Sequence, residues 1–113
     1  MNDLLNGIYQ VSFQSNLSDF GTGLIVAREG TIHGGDHSYL YLGTYSSYES
    51  SIKAKIGVKH YRGPLDSIFG PLKSFSLELK GSGTNSLFTL EGHLTSHPDL
   101  KIKLVGTKVS PLI

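Results

Sequence analysis

Apolar and polar residues alternate along most of the chain. In Gly7–Ser15, Tyr9, Val11 and Phe13 fall on one face, with polar residues between them. Successive side chains of a β-strand point to opposite faces, so a two-residue period predicts half-buried strands. The same period predicts further strands in Gly21–Arg28, Thr31–Asp36, Ser38–Ser46, Ser51–Tyr61, Ser74–Gly81, Ser86–Leu94 and Leu100–Lys108. Ser38–Ser46 is apolar or aromatic on both faces, so its pattern alone does not say which face points inward.

Glycine and polar clusters separate these segments, and Glu29-Gly30 is typical of a tight hairpin turn. Residues 62–73 break the pattern with two prolines and two glycines, and we expect one helical turn between Pro64 and Phe69 that covers the core. Seven or eight short strands with short connections predict an all-β fold, a single up-and-down antiparallel barrel. We expect one domain over 1–113, with residues 1–6 as a loose N-terminal segment.

Composition narrows the chemistry. The chain has 113 residues and no cysteine, which excludes disulfides, thiolate zinc sites and a cysteine nucleophile. No signal peptide or membrane-spanning run is recognisable, so we expect a soluble cytoplasmic protein with no membrane partner.

Charge is distributed unevenly along the chain. Residues 1–50 contain one Lys or Arg against five Asp or Glu, whereas residues 51–113 contain nine against four. Most of the lysines alternate with apolar residues, which favours a solvated strand face over a partner surface. We expect no direct binding of nucleic acid, because that function needs a clustered basic patch.

The sequence His33-Gly34-Gly35-Asp36-His37 suggests two kinds of site. Histidine and carboxylate ligands suit zinc or iron, and His60, His93 or His97 would have to complete the set. The favoured interpretation is structural: the paired glycines supply positive φ or a bulge, and Asp36 caps the backbone at a turn. A metal-dependent enzyme remains a remote alternative.

No catalytic pattern stands out elsewhere. The serines lie in no recognisable nucleophile setting, the carboxylates show no paired spacing, and no glycine-rich loop precedes a helix. We therefore expect a non-enzymatic protein without a cofactor. A small apolar ligand inside the barrel is an alternative function. Aromatic residues would either line that cavity or simply fill the core: Tyr9, Phe13, Tyr39, Tyr41, Phe75 and Phe88.

Several segments resemble the GrlR family, whose namesake represses a bacterial type III secretion regulon. The similar segments are "GIYQVSF", "GTGLIV", "GGD" followed by "YLYLGTY", "FGPLKSFSLELKG" and "FTLEGH", and the resemblance extends over residues 7–108. It implies a barrel distantly like lipocalins and fatty-acid-binding proteins that forms a homodimer. It also implies a regulatory protein that binds a helix-turn-helix transcription activator and prevents it from engaging DNA.

The family's contact loop falls on Ser47, Tyr48, Glu49 and Ser50. In the namesake this loop carries four acidic residues, whereas only Glu49 is acidic here. A single carboxylate makes a weaker steering field for a basic partner than four do. The resemblance therefore implies the fold more strongly than it implies the partner.

Overall fold

The computed structural model describes residues 5–17 and 20–113, which form a closed antiparallel β-barrel. Each strand pairs with the next along the chain, and the last strand pairs with the first. The strands are β1 (Gly7–Ser15), β2 (Phe20–Arg28), β3 (Thr31–Gly35), β4 (Tyr39–Tyr48), β5 (Ser51–His60), β6 (Ser74–Gly83), β7 (Leu87–Leu94) and β8 (Lys101–Ser110). The prediction of a single all-β up-and-down barrel is confirmed, with eight strands.

The Glu29-Gly30 turn connects β2 and β3 as its sequence predicts. Arg28 pairs with Thr31, and both turn residues have positive φ, 47° for Glu29 and 87° for Gly30. This backbone twist matches the right-handed twist of the flanking strands, which favours a two-residue hairpin.

The inner face of β4 carries three of its four tyrosines. Tyr39, Tyr41 and Tyr45 are buried, whereas Leu40 and Leu42 are exposed. The larger aromatic rings fill the barrel, and the leucines of the same strand remain in solvent.

The two ends of the barrel are closed differently. At the end where β4 finishes, here called the Tyr48 end, Leu5 is buried in the core and the Asn6 side chain accepts a hydrogen bond from the Glu29 amide, 2.8 Å. Core packing of Leu5 and the hydrogen bond to Asn6 thus hold both residues in place at this end of the barrel. The expectation of a loose segment over residues 1–6 is wrong for these two residues, and residues 1–4 lie outside the described part of the chain.

At the opposite end, here called the Asp36 end, the connection between β5 and β6 folds over the opening. This connection, residues 61–73, is the longest one between strands and is here called the cover loop. The helical turn predicted at 64–69 is wrong: Ser67 and Gly70 form a bridge around a tight turn instead. The Ser67 hydroxyl donates to the Gly70 carbonyl, 2.6 Å, and positive φ at Gly70 completes the turn. The turn still buries Ile68 and Phe69 in the core, as expected.

Glycines on inner faces let the aromatic rings lie flat against neighbouring strands. A Cβ on Gly106 would stand 2.2 Å from Cζ of Phe88, and one on Gly21 would stand 2.3 Å from Cε2 of Phe13. Each ring occupies the space that a side chain on the opposing strand would need, an arrangement that shields glycine in sheets. The interior is therefore largely filled by aromatic rings.

No helix in the described residues is long and apolar enough to cross a membrane.

Candidate functional site

A small apolar cavity remains inside the barrel. Its volume is about 80 Å³, and side chains from most strands and the cover loop line it. Such a volume is well below the roughly 300–1,000 Å³ typical of sites for drug-sized molecules. Among the described residues, Asp36 is the one charged side chain in the lining.

The Asp36 carboxylate is fixed by three donors. Its Oδ1 accepts from the Ser38 and Tyr39 amides at 2.9 and 2.8 Å, as in an Asx turn, and its Oδ2 accepts from the Tyr41 hydroxyl. Burial, together with the hydrogen bond to Asp36, raises the pKa of Tyr41 well above its usual range. The pair therefore consists of a neutral phenol that donates to a carboxylate at the Asp36 end of the cavity.

The cover loop is held by the turn that contains Asp36. The Tyr61 amide donates to the Ser38 carbonyl at 2.9 Å, and the Tyr61 hydroxyl donates to the Asp36 carbonyl at 3.1 Å. Arg62 Nε donates to the His37 carbonyl, 3.2 Å. These polar contacts lie above the apolar contacts of Phe69, whose ring packs edge-on against Phe75 at 5.6 Å.

An exposed ion pair adds to this attachment. His37 Nε2 lies 2.9 Å from Asp66 Oδ2, and both side chains are largely in solvent. The hydrogen bond and the negative charge of Asp66 raise the pKa of His37. The same hydrogen bond lowers the pKa of Asp66. The pair connects the β3–β4 turn to the middle of the cover loop.

The three residues considered as metal ligands have different roles. His33 is exposed on the outside of β3, Asp36 is bonded within its turn, and His37 pairs with Asp66. Within residues 5–17 and 20–113, no group of three or more His, Cys, Asp or Glu side chains is arranged to hold a metal ion.

Gly34 and Gly35 do not form the turn, and the expectation of positive φ or a bulge at these glycines is wrong. They end β3 in continuous register, and the turn is Asp36–Ser38. The reason for glycine at 34 is close packing, because a Cβ there would stand 2.1 Å from the Leu24 carbonyl oxygen.

Five of the six aromatic residues proposed as cavity lining reach the cavity; they are Phe13, Tyr39, Tyr41, Phe75 and Phe88. Tyr9 does not line it, although it is fully buried. Its ring packs against Phe88 at 5.0 Å, and Lys108 Nζ lies 5.7 Å from the Tyr9 ring centroid. Tyr9 thus fills space near the Tyr48 end.

The proposed contact loop lies at the Tyr48 end of the barrel. Glu49 and Ser50 form the turn between β4 and β5, and Glu49 has a φ of 56°. Tyr48 is 78% exposed on the outer face of β4. The loop therefore presents one aromatic side chain and one carboxylate to solvent.

The outer face of the barrel has an uncharged half. Strands β1–β4 contain no Lys, Asp or Glu, and their one arginine, Arg28, ends β2. Across this half, Leu24 pairs with Gly35 and Gly35 with Leu40, while Val26 pairs with His33 and His33 with Leu42. The apolar side chains in these two rows lie on both sides of Gly35 and His33 and are here called the apolar patch: Leu24, Val26, Leu40 and Leu42.

Two leucines of the apolar patch are about half exposed. Leu24 is 54% exposed and Leu42 49%. Leu40 leans over Gly35, with Cδ2 3.5 Å from the place where a Cβ would stand. Contiguous exposed apolar side chains, unlike scattered ones, mark interaction surfaces.

The other half of the outer face is lysine-rich. It carries six exposed lysines, together with Glu78 and Glu91: Lys53, Lys55, Lys59, Lys80, Lys101 and Lys103. Glu78 lies opposite Lys55, and Glu91 lies opposite both Lys80 and Lys103. Cross-strand opposite charges of this kind stabilise a solvated sheet face.

Sequence reasoning missed the apolar patch and the attachment of the cover loop. The sequence did contain a signal for the patch: Leu24 and Val26 alternate with the inward residues of β2, and Leu40 and Leu42 alternate with the inward residues of β4. The patch becomes visible only when the register places Leu24 and Leu40 on either side of Gly35. The contacts between 36–38 and 61–73 join distant parts of the chain, and no local pattern indicates them.

The fold and its interior define a small, closed, eight-stranded antiparallel barrel. No family model and no curated protein matches the sequence. A solved structure described as a redesigned beta barrel is similar, with a TM-score of 0.49 and 9% identity over 92% of this chain and 90% of that chain.

Proposed function

We propose that this protein is a non-enzymatic regulator that acts by binding another protein through the apolar patch. The observation that carries the proposal is the exposure of Leu24, Leu40 and Leu42 around Gly35 on the half of the barrel that has no Lys, Asp or Glu in its strands. Apolar side chains with few charges among them are typical of the buried centre of protein interfaces.

The resemblance to the GrlR family supports a transcription activator with a helix-turn-helix domain as the partner. Tyr48 lies on the same outward face of β4 as Leu40 and Leu42 and would extend the contact toward Glu49. Tyrosine is an effective interface anchor because it combines apolar area with a hydroxyl.

The resemblance also implies a homodimer, so a second copy is the competing occupant of the patch. A stable interface needs roughly 800 Å² from each partner, more than the patch alone offers. Tyr48 or the outer face of β1 would have to contribute in either case.

The test compares two lysine substitutions at exposed strand positions. Leu42→Lys places a charge in the apolar patch, whereas Thr89→Lys places one on the lysine-rich half. With the purified activator identified from the source cell, we expect wild type and Thr89→Lys to release the activator from its DNA and Leu42→Lys to fail. Equal activity of Leu42→Lys and wild type would contradict the proposal. If Leu42→Lys instead halves the mass of the isolated protein in light scattering, the patch is a dimer interface.

A further inference from the structure

We propose that the barrel interior binds a small apolar molecule with a cationic amine head, which enters beneath the cover loop and places its ammonium group against Asp36. This site lies inside the barrel and is independent of the outer apolar patch.

The charge of Asp36 in the cavity lining favours a cationic head group on the ligand. Asp36 is the one charged side chain among the described residues around the cavity, and the exposed lysines of β5–β8 point away from it. A carboxylate has about four acceptor positions. Three donors are already bonded to Asp36, two at Oδ1 and one at Oδ2, so Oδ2 has room for one more. In an apolar enclosure an ammonium group satisfies this position better than a neutral donor, and a carboxylate ligand would be repelled.

The tail follows from the rest of the cavity. Apart from Asp36, Ser67 and the tyrosine hydroxyls, the lining is hydrocarbon. A cavity of about 150 Å³ in another protein holds benzene, so a cavity of about 80 Å³, roughly half as large, suits a tail of about three carbons. The ligand class is therefore a short alkylamine or an amine of similar size.

The attachment of the cover loop indicates where the ligand would enter the cavity. Ile68 and Phe69 close the Asp36 end, and the polar contacts of the loop with Asp36–Ser38 lie at the surface. Releasing those contacts exposes Asp36 first and the hydrocarbon lining behind it. Long loops in small domains frequently serve as lids of this kind.

The experiment titrates wild-type protein with three molecules that share a three-carbon tail: propylammonium, propan-1-ol and butyrate. Binding is followed by the amide chemical shifts in ¹H–¹⁵N spectra. We expect propylammonium to bind about tenfold more tightly than propan-1-ol, and butyrate more weakly than either. The largest shifts should fall on Asp36, Tyr41 and Phe69.

Two variants separate Asp36 from general charge effects. Asp36→Asn keeps an oxygen that can accept from the Ser38 and Tyr39 amides, and it should bind propylammonium no better than propan-1-ol. Asp99→Asn removes an exposed carboxylate elsewhere and should behave as wild type. Three results would overturn the proposal: no saturable shifts with propylammonium, shifts confined to the outer face, or equal affinity for all three molecules. The wild-type series decides between these outcomes even if Asp36→Asn does not fold.

Discussion

The hydroxyl of Tyr41 donates a hydrogen bond to Oδ2 of Asp36, at the end of the cavity that the cover loop closes. Two backbone amides hold Oδ1 of the same carboxylate. One side chain thus forms the β3–β4 turn, orients an interior tyrosine and supplies the charge of the cavity.

Replacing Tyr41 with Phe should destabilise the protein. The substitution removes the hydroxyl and leaves one oxygen of a partly buried carboxylate without its protein donor. Loss of a hydrogen bond to a charged group costs roughly 1–3 kcal/mol. Urea unfolding monitored by circular dichroism measures this difference. An unchanged midpoint would mean that water replaces the hydroxyl without loss.

Tyr41 should also make the fold sensitive to alkali. Its pKa is raised in the folded protein, so the stabilising contribution of its neutral form is complete below the ordinary tyrosine pKa of about 10 and declines as the pH rises above it. We expect the free energy of unfolding to fall above about pH 10 in wild type, and to fall less in Tyr41→Phe. Parallel pH profiles for the two proteins would contradict this assignment.

The ion pair between His37 and Asp66 should make the cover loop respond to pH. Because the pKa of His37 is raised, its stabilising contribution to the folded protein is complete below its ordinary pKa of 6.5. That contribution is lost as the pH rises through the raised pKa. Because the pKa of Asp66 is lowered, its stabilising contribution to the folded protein is complete above its ordinary pKa of 3.8. That contribution is lost as the pH falls through the lowered pKa. Both groups contribute fully between pH 3.8 and 6.5.

We therefore expect the heteronuclear ¹H–¹⁵N NOE of residues 61–73 to be highest in that window and to decrease as the pH rises through the raised pKa of His37. His37→Gln should remove this dependence, and His97→Gln, at an exposed histidine elsewhere, should retain it. NOE values of residues 61–73 that stay constant between about pH 5 and about pH 9 in wild type would refute the role of the ion pair.

Gly106→Ala should disturb the packing of Phe88. The new methyl group would stand 2.2 Å from the ring, which must move into a filled core. Overpacking of this kind costs about 1–3 kcal/mol. Gly57→Ala is the matched control, since its nearest contact would be the Leu42 carbonyl oxygen at an ordinary 3.5 Å. Thermal unfolding of both variants measures the difference, and a smaller Phe88→Leu side chain should partly rescue Gly106→Ala.

The sequence predicted the strands well because their alternation is local. The strand Gly7–Ser15 was predicted with the bounds observed, and the Glu29-Gly30 turn follows from residues that tolerate positive φ. The prediction that Gly34 and Gly35 form a turn was wrong because glycine serves equally for close packing between strands. The helical turn near Pro64 was wrong because Ser67 and Gly70 bond to each other across a tighter turn.

The candidate sites were harder to predict for a related reason. Asp36 was recognised as a turn residue, but its position in the cavity depends on where β3 and β4 meet the cover loop. The apolar patch depends on the register that places Leu24 and Leu40 on either side of Gly35. Both are properties of pairing between strands, which the alternation of a single strand does not specify.

Cross-saturation NMR on the deuterated protein, bound to the proposed activator partner, tests the proposed function most directly. Irradiating the partner should attenuate the amides of Leu24, Leu40 and Leu42, with a weaker effect at Tyr48, and should leave Lys55, Glu78 and Lys103 unchanged. Attenuation confined to the lysine-rich half of the barrel would contradict the account.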